Sequence, residues 1–228
     1  MKHYVIIVAG GSGSRMQSST PKQFLPINQK PILLHTLERL YASVNQAELI
    51  IVLPPSQFDV WKTICKEYQV NIPHQLCGGG TTRFESVKNA LKMVSETSII
   101  AIHDGVRPLV KKSVVKQCLQ TAQQKGAAIP VLGIEESLRK KMKDEKSTIV
   151  NRDDYLIVQT PQCFESSILL EAYEQAYSIT FTDDASVVEA MGNAISLVDG
   201  NKENIKITRP EDLIIAESFL KQFDKHDC

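Results

Sequence analysis

Short, wholly apolar bursts alternate with helix-length amphipathic segments from Val5 to Val131, and this alternation restricts the chain to an α/β fold. Val5-Ile6-Ile7-Val8, Leu49-Ile50-Ile51-Val52-Leu53 and Ile99-Ile100-Ala101-Ile102 are apolar on both faces, as strands covered on both sides must be. Helical spacings lie between them: Leu33, Leu34, Leu37, Leu40 and Tyr41 behind Pro31, then Trp61, Ile64 and Cys65, then Val87, Ala90, Leu91 and Val94. Pro31 suits a first helical position, where no N–H is needed. A short strand around His74-Gln75-Leu76, a helix from about Lys112 to Gln124 and a strand from Ala127 to Val131 complete the series. Strands separated by helices predict βαβ units, hence a Rossmann-like, mostly parallel sheet flanked by helices on both faces. At 228 residues the chain suits one domain, residues 1–228. Ligands of such sheets sit beyond the carboxyl ends of the strands. Residues 10–22, 78–83 and 104–108 all fall there.

The pattern breaks between Gly133 and Arg152, where Arg139, Lys140, Lys141, Lys143 and Lys146 stand among few large apolar residues. This stretch reads as an exposed hairpin projecting from the domain. Its basic run reads as a solvated face, with a site for an acidic partner as the alternative. The formal net charge of zero argues against nucleic-acid binding through bulk charge, although a local anion site can hide in a neutral total. Cys65, Cys77, Cys118, Cys163 and Cys228 are scattered, with no C-x-x-C pair, so neither a disulfide framework nor a zinc knuckle is indicated. Such thiols fit a reducing cytosol. The apolar run after Met1-Lys2-His3 ends at Gly10, too short for a secretory signal. No run reaches the roughly 18 apolar residues of a membrane span. The expectation is a cytoplasmic protein with no membrane or nucleic-acid partner.

Gly10, Gly11 and Gly13 directly follow the first strand. Glycine lets backbone approach a ligand closely, so successive N–H groups can face an anion. The loop Gly10-Gly11-Ser12-Gly13-Ser14-Arg15 lacks the Gly-Lys-Ser/Thr of a Walker loop, and Met16 stands where a dinucleotide fingerprint needs its third glycine. It is therefore a phosphate-type loop of another kind, or a tight structural turn. Arg15 and Lys22 favour the first reading: a planar fork and a movable point charge together can neutralise a triphosphate. Asp104, before Arg107-Pro108, can hold a cation or orient an acceptor, or serve only as a cap or turn. His103 reads as structural. Asp183 and Asp184 suit either a metal pair or the first turn of a helix.

These residues belong to a longer ordered series of blocks. They are Ala9-Gly10-Gly11-Ser12-Gly13-Ser14-Arg15-Met16, Pro21-Lys22-Gln23-Phe24, Gly79-Gly80 with Arg83 and Ser86-Val87, and His103-Asp104-Gly105-Val106-Arg107-Pro108. Asn151-Arg152, Gln159-Thr160-Pro161-Gln162, Thr182-Asp183-Asp184-Ala185-Ser186 and Asn204-Ile205-Lys206-Ile207-Thr208-Arg209-Pro210-Glu211-Asp212 follow. In their order and spacing the chain resembles the 2-C-methyl-D-erythritol 4-phosphate cytidylyltransferases, the IspD-type enzymes of the non-mevalonate isoprenoid pathway. The resemblance implies transfer of a cytidylyl group from CTP to methylerythritol phosphate, releasing pyrophosphate, with Mg²⁺ or another divalent cation. It assigns Arg15 and Lys22 to the transition state. It places Ala9, Gly10, Gly11, Ser12, Gly13, Gly79, Gly80 and Ser86 around the nucleotide. Asp104, Arg107, Thr182, Ser137, Arg152 and Lys206 fall to the acceptor. The cation would ride mainly on the triphosphate, with Asp104 the candidate protein ligand. The resemblance also implies a homodimer in which a β-arm at about 133–157 reaches the partner's site, so that Arg152 acts in trans.

The chain departs from the family pattern in three places. Gly105 replaces a usual alanine, and the lost methyl is expected to matter little. Glu136-Ser137-Leu138-Arg139 replaces Asp-Thr-x-Lys, with Ser137 keeping a hydroxyl. Thr81 replaces an aspartate, which puts one nucleotide contact in question. Rival readings are a ribitol 5-phosphate cytidylyltransferase, a sugar-1-phosphate nucleotidyltransferase and a nucleotide-binding regulator without catalysis.

Overall fold

The computed structural model describes residues 1–11, 16, 18 and 20–223. Arg15, assigned above to the transition state, and Ser12 and Gly13, assigned to the nucleotide, lie outside them. Along the chain run β1 (Lys2–Val8), the small hairpin β2 (Pro26–Ile27) and β3 (Lys30–Pro31), α1 (Ile32–Ser43), β4 (Glu48–Leu53), α2 (Phe58–Glu67) and β5 (Gln75–Gly78). Next come α3 (Arg83–Leu91), β6 (Ser98–Asp104), α4 (Lys112–Lys125), β7 (Ala127–Gly133), β8 (Arg139–Lys141), β9 (Ser147–Ile149) and β10 (Leu156–Val158). β11 (Gln162–Glu165), α5 (Ser166–Ala172), α6 (Asp184–Glu189), β12 (Ser196–Asp199) and α7 (Pro210–Phe223) close the fold.

Among the described residues the main sheet has eight strands in the order β10-β7-β11-β6-β1-β4-β5, with β12 beside β7. Pairings β1–β4, β1–β6, β4–β5 and β12–β7 are parallel, whereas β11–β6, β11–β7 and β10–β7 are antiparallel. The parallel half is the part the apolar bursts predict. The antiparallel strands were not foreseen, because β11 and β10 are only four and three residues long and gain their strand character from pairing. Pro31 differs as well: it pairs with Pro26 in the small hairpin and caps α1, which begins at Ile32.

Alternation along the central strands divides the core between the two faces. Val5, Ile7, Leu49, Ile51, Leu53, Ile99 and Ala101 pack with Trp61 and with α1 and α4 residues such as Leu37 and Val115. Tyr4, Ile6, Ile50, Val52, Ile100 and Ile102 pack on the other side with Val87, Leu169 and Val188. Burying each such aliphatic side chain contributes about 1.5–3 kcal/mol, so the centre of the sheet is a rigid platform for the loops at its rim. The strand order reverses at β1, which has β4 on one side and β6 on the other. Open α/β sheets form their ligand crevice at such a point. The register sets Val8 opposite Asp104, so the glycine loop and the Asp104 turn leave the sheet side by side.

β8 and β9 pair only with each other, and their residues are exposed. They form a small exposed hairpin apart from the main sheet. Ile149 is 77% exposed, and Tyr155, Leu156, Ile157 and Val158 at the base of this arm are also exposed. No helix among the described residues is long and apolar enough to cross a membrane.

Gly105 shows why a missing methyl matters. A Cβ there would lie 2.8 Å from the Ala9 Cβ and 3.1 Å from Leu33 Cδ1. The Gly105 N–H donates to the Val8 carbonyl at 2.8 Å, and its carbonyl accepts from Thr36 Oγ1 at 3.1 Å. The end of β1 has closed onto the glycine, contrary to the expectation that the change is neutral. Gly105→Ala should therefore destabilise the fold by about 1–3 kcal/mol through overpacking. The check is thermal unfolding, where the midpoint should fall by roughly 2–10 °C.

Candidate active site

A cleft of about 320 Å³ lies at the carboxyl ends of β1 and β6. Ala9, Gly10, Gly11, Lys22, Gly80, Ser86, Asp104 and Lys206 line it, which brings together predicted residues from four separate segments. Lys22 opens a single helical turn, Lys22–Phe24, anchored by the buried side chains of Gln23 and Phe24. A Cβ built on Gly11 would sit 3.6 Å from the Lys22 Nζ, so the ammonium lies beside the start of the glycine loop.

The opposite wall is built by a helix cap. Thr82 Oγ1 accepts from the Glu85 N–H at 3.1 Å, and Glu85 Oε2 accepts from the Thr82 N–H at 3.2 Å, a reciprocal pairing that starts α3. Glu85 Oε2 also accepts from the Thr81 N–H and hydroxyl at 2.7 and 2.5 Å. The Thr81 hydroxyl proton, at the position that departs from the family pattern, is thus committed to Glu85. The hydroxyl bonds of Thr81 come first among the influences that hold the Glu85 carboxyl below its usual range. Ser86 accepts from the Gly80 N–H at 3.1 Å and donates to the Thr82 carbonyl at 2.8 Å. With its proton spent, Ser86 can only accept from a ligand. The N–H groups of Ala9 and Gly79 bond to Val52 and Leu53 carbonyls. Ala9, Gly79 and Gly80 therefore shape the wall without directing their N–H groups at an anion.

A second cavity, of about 290 Å³, shares Arg83, Asp104 and Lys206 with the first and adds Arg107, Thr182 and Asp183. Asp104 ends β6 and is nearly buried. Lys206 Nζ lies 3.0 Å from its Oδ2, Arg107 Nε 3.3 Å from the same oxygen, and Arg83 Nε 3.8 Å from Oδ1. Burial opposes ionisation of Asp104, but Arg83, Lys206 and Arg107 overcome it and hold the carboxyl far below the usual range. With Arg83 paired to Asp184, Lys206 and Arg107 face the single Asp104 carboxylate and leave one positive charge in excess beside it, which favours binding an anion. Arg107 also donates to the Asn204 carbonyl at 2.7 Å and so fixes the loop that carries Lys206.

The same arrangement argues against Asp104 as a cation ligand. Its oxygens are taken by Lys206, Arg107 and Arg83, and the described residues hold no group of three His, Cys, Asp or Glu side chains suited to a metal. Nor are Asp183 and Asp184 a metal pair. Asp183 caps α6 by accepting from the Ser186 N–H at 2.9 Å, and Asp184 is buried against Arg83. Ser137 and Arg152 meet on the arm, in a cavity of about 410 Å³ that includes no residue of the cleft. Within one chain, then, two of the assigned acceptor residues stand apart from the others.

His103 supports the site from below. The Asp104 N–H donates to Thr160 Oγ1 at 3.1 Å, so the Thr160 hydroxyl directs its proton to His103 Nδ1, also at 3.1 Å. His103 Nε2–H then donates to the Arg107 carbonyl at 2.9 Å. The imidazole is buried and neutral, and burial is the main reason its pKa is lowered from 6.5 to about 4. A histidine depressed on folding contributes stability that is complete above the unfolded value and is lost as pH falls from about 6.5 toward 4. Stability should accordingly drop by about 1–2 kcal/mol between pH 7 and pH 5, read from urea midpoints. A flat profile would contradict the neutral buried imidazole.

Arg83 was not singled out for a role from the sequence, although it stands within one of the quoted blocks. A signal for it exists: a cation in the first turn of a helix opposes the helix dipole, and so implies a partner elsewhere.

Comparison with known proteins follows this geometry. The family model described as IspD, 2-C-methyl-D-erythritol 4-phosphate cytidylyltransferase, matches residues 3–222. A relative of that name from Phocaeicola vulgatus is 51% identical over 220 residues, covering 96% of this chain and 100% of its own. Another from Bacteroides thetaiotaomicron is 49% identical over 220 residues, with the same coverage. Among solved structures, the 4-diphosphocytidyl-2C-methyl-D-erythritol synthase of Anaerococcus prevotii superposes with a TM-score of 0.82 at 28% identity, covering 96% of each chain. The Thermus thermophilus 2-C-methyl-D-erythritol 4-phosphate cytidylyltransferase gives 0.77 at 30% identity, covering 97% of this chain and 100% of the other.

Proposed function

This chain belongs to the 2-C-methyl-D-erythritol 4-phosphate cytidylyltransferase family, and from that premise we propose that its two linked cavities seat CTP and the acceptor phosphate on either side of Asp104. The chain is a nucleotidyltransferase that converts CTP and 2-C-methyl-D-erythritol 4-phosphate to the CDP-alcohol and pyrophosphate in the non-mevalonate isoprenoid pathway. The observation that supports this seating is the sharing of Arg83, Asp104 and Lys206 between the cleft bearing Lys22 and the cavity bearing Arg107 and Thr182.

A phosphate monoester has a second pKa of about 6, so the acceptor is mainly a dianion near neutral pH and needs no general base. The buried, neutral His103 is consistent with that. The task is to bring two anions together and align an acceptor oxygen with the α-phosphorus and the departing pyrophosphate. In this reading Gly10, Gly11 and Lys22 receive the triphosphate, and Arg15 acts with Lys22. Gly79, Gly80 and Ser86 bound the nucleoside. Lys206, with Arg107 and Thr182, holds the acceptor. Mg²⁺ would travel with the triphosphate, since Asp104 and Asp184 are already paired with cations and Asp183 is used as a cap. We also place the site in a homodimer, with the arm delivering Ser137 and Arg152 to the partner's cavity. The exposed apolar base of the arm supports that assembly.

Pyrophosphate release tests the reading. It should require both CTP and 2-C-methyl-D-erythritol 4-phosphate. Comparable turnover with ribitol 5-phosphate, or none with either acceptor, would overturn it.

A further inference from the structure

A buried ion pair stands behind the border of the two cavities. Arg83 donates from Nη1 and Nη2 to the two Asp184 oxygens at 2.7 and 2.6 Å, fork against fork. Asp184 is fully buried, and the Tyr173 hydroxyl donates to its Oδ1 at 2.6 Å. Gln162 Oε1 accepts from the Asp184 N–H at 3.0 Å, which fixes the start of α6. With both terminal nitrogens held, the Arg83 Nε is turned toward Asp104 Oδ1 at 3.8 Å. The other Asp104 oxygen, Oδ2, faces Lys206 and Arg107. Desolvation cancels much of the attraction in a buried pair, so such a pair is a weak source of stability. What this one supplies is a fixed direction for a guanidinium.

We propose that Asp184 is a positioning residue for nucleotidyl transfer: it fixes Arg83, which restrains Asp104 Oδ1 so that only Oδ2 faces Lys206. If Arg83 were released, the Asp104 carboxylate would be free to rotate and present both oxygens to Lys206 and Arg107. It would then draw their charge away from the acceptor phosphate. The effect should fall on the acceptor, because the charges that Asp104 would draw away are those of Lys206 and Arg107, the residues assigned to it. The proposal rests on the assignment of Lys206 to the acceptor made above.

The test is steady-state kinetics of full-length Asp184→Asn, Tyr173→Phe and Arg83→Lys, varying each substrate at saturation of the other. Asp184→Asn and Arg83→Lys should raise the KM for 2-C-methyl-D-erythritol 4-phosphate about tenfold, while the KM for CTP stays within about twofold. Tyr173→Phe, which keeps the fork, should give a smaller rise of the same kind. A merely structural role would lower kcat and disturb both KM values together, and that result would overturn the proposal. So would an unchanged acceptor KM. If Asp184→Asn fails to fold, Arg83→Lys decides, since its side chain is 28% exposed at the cavity rim. A wild-type chain that releases no pyrophosphate from the two substrates would defeat the functional reading, and the proposal with it. Wild-type turnover with an unperturbed Arg83→Lys defeats the positioning role alone.

Discussion

Lys22→Ala should lower kcat by about 10²–10³ while changing CTP affinity only a few-fold. Charge builds on the α-phosphoryl oxygens and the departing pyrophosphate as the reaction proceeds, so a cation aimed there gains most of its interaction in the transition state. The placement of Lys22 fits that demand. Its helical turn is pinned by buried Gln23 and Phe24, and its ammonium lies beside Gly11 at the cleft. Little reorganisation is then needed when the charge shifts. Ground-state affinity for CTP draws on many contacts along the cleft, and one cation is a small part of them. Isothermal titration with CTP and single-turnover pyrophosphate release separate the two quantities. A variant that turns over near the wild-type rate, or that loses CTP binding in proportion to kcat, would remove Lys22 from the transition-state role.

Arg152→Ala should weaken use of the acceptor by about 10–100-fold in kcat/KM, with CTP binding intact. Arg152 is half exposed on the arm, donates to the Glu135 carbonyl there, and shares a cavity with Ser137 instead of with Lys206. In the proposed homodimer it serves the cleft of a second copy, reached by the arm. Mixing the impaired Arg152→Ala with the impaired Lys22→Ala, assayed at low acceptor concentration, tests that directly. With random exchange about half the dimers are mixed, and each mixed dimer has one complete site, so activity should return to about one quarter of wild type. Exchange demonstrated by tagged subunits without recovered activity would place Arg152 in cis or outside the site.

Much of the site was legible in advance because it depends on local rules. A glycine run after a buried strand, cations in an irregular segment and an aspartate at a strand end are local facts, and the parallel sheet gathers its strand ends at one rim. The structure brings Lys22, Ser86, Asp104 and Lys206 to that rim. What misled was the reading of side chains without their partners. Asp104 has the chemistry of a metal ligand until Arg83, Arg107 and Lys206 are seen around it. Asp183 and Asp184 are adjacent in sequence, yet one caps a helix and the other is buried against an arginine more than one hundred residues away.

The sequence by itself determined the parallel half of the central sheet, the rim at which chemistry occurs and the family. These follow from apolar periodicity and from the order of short motifs, which tertiary contacts do not need to supply. Only the tertiary structure decided which charges neutralise one another, that Gly105 is required by the approach of Ala9, and that the arm residues stand apart from the cleft of their own chain. Those outcomes depend on distances of a few ångströms between segments remote in sequence, and both Coulomb energy and steric overlap change steeply over that range.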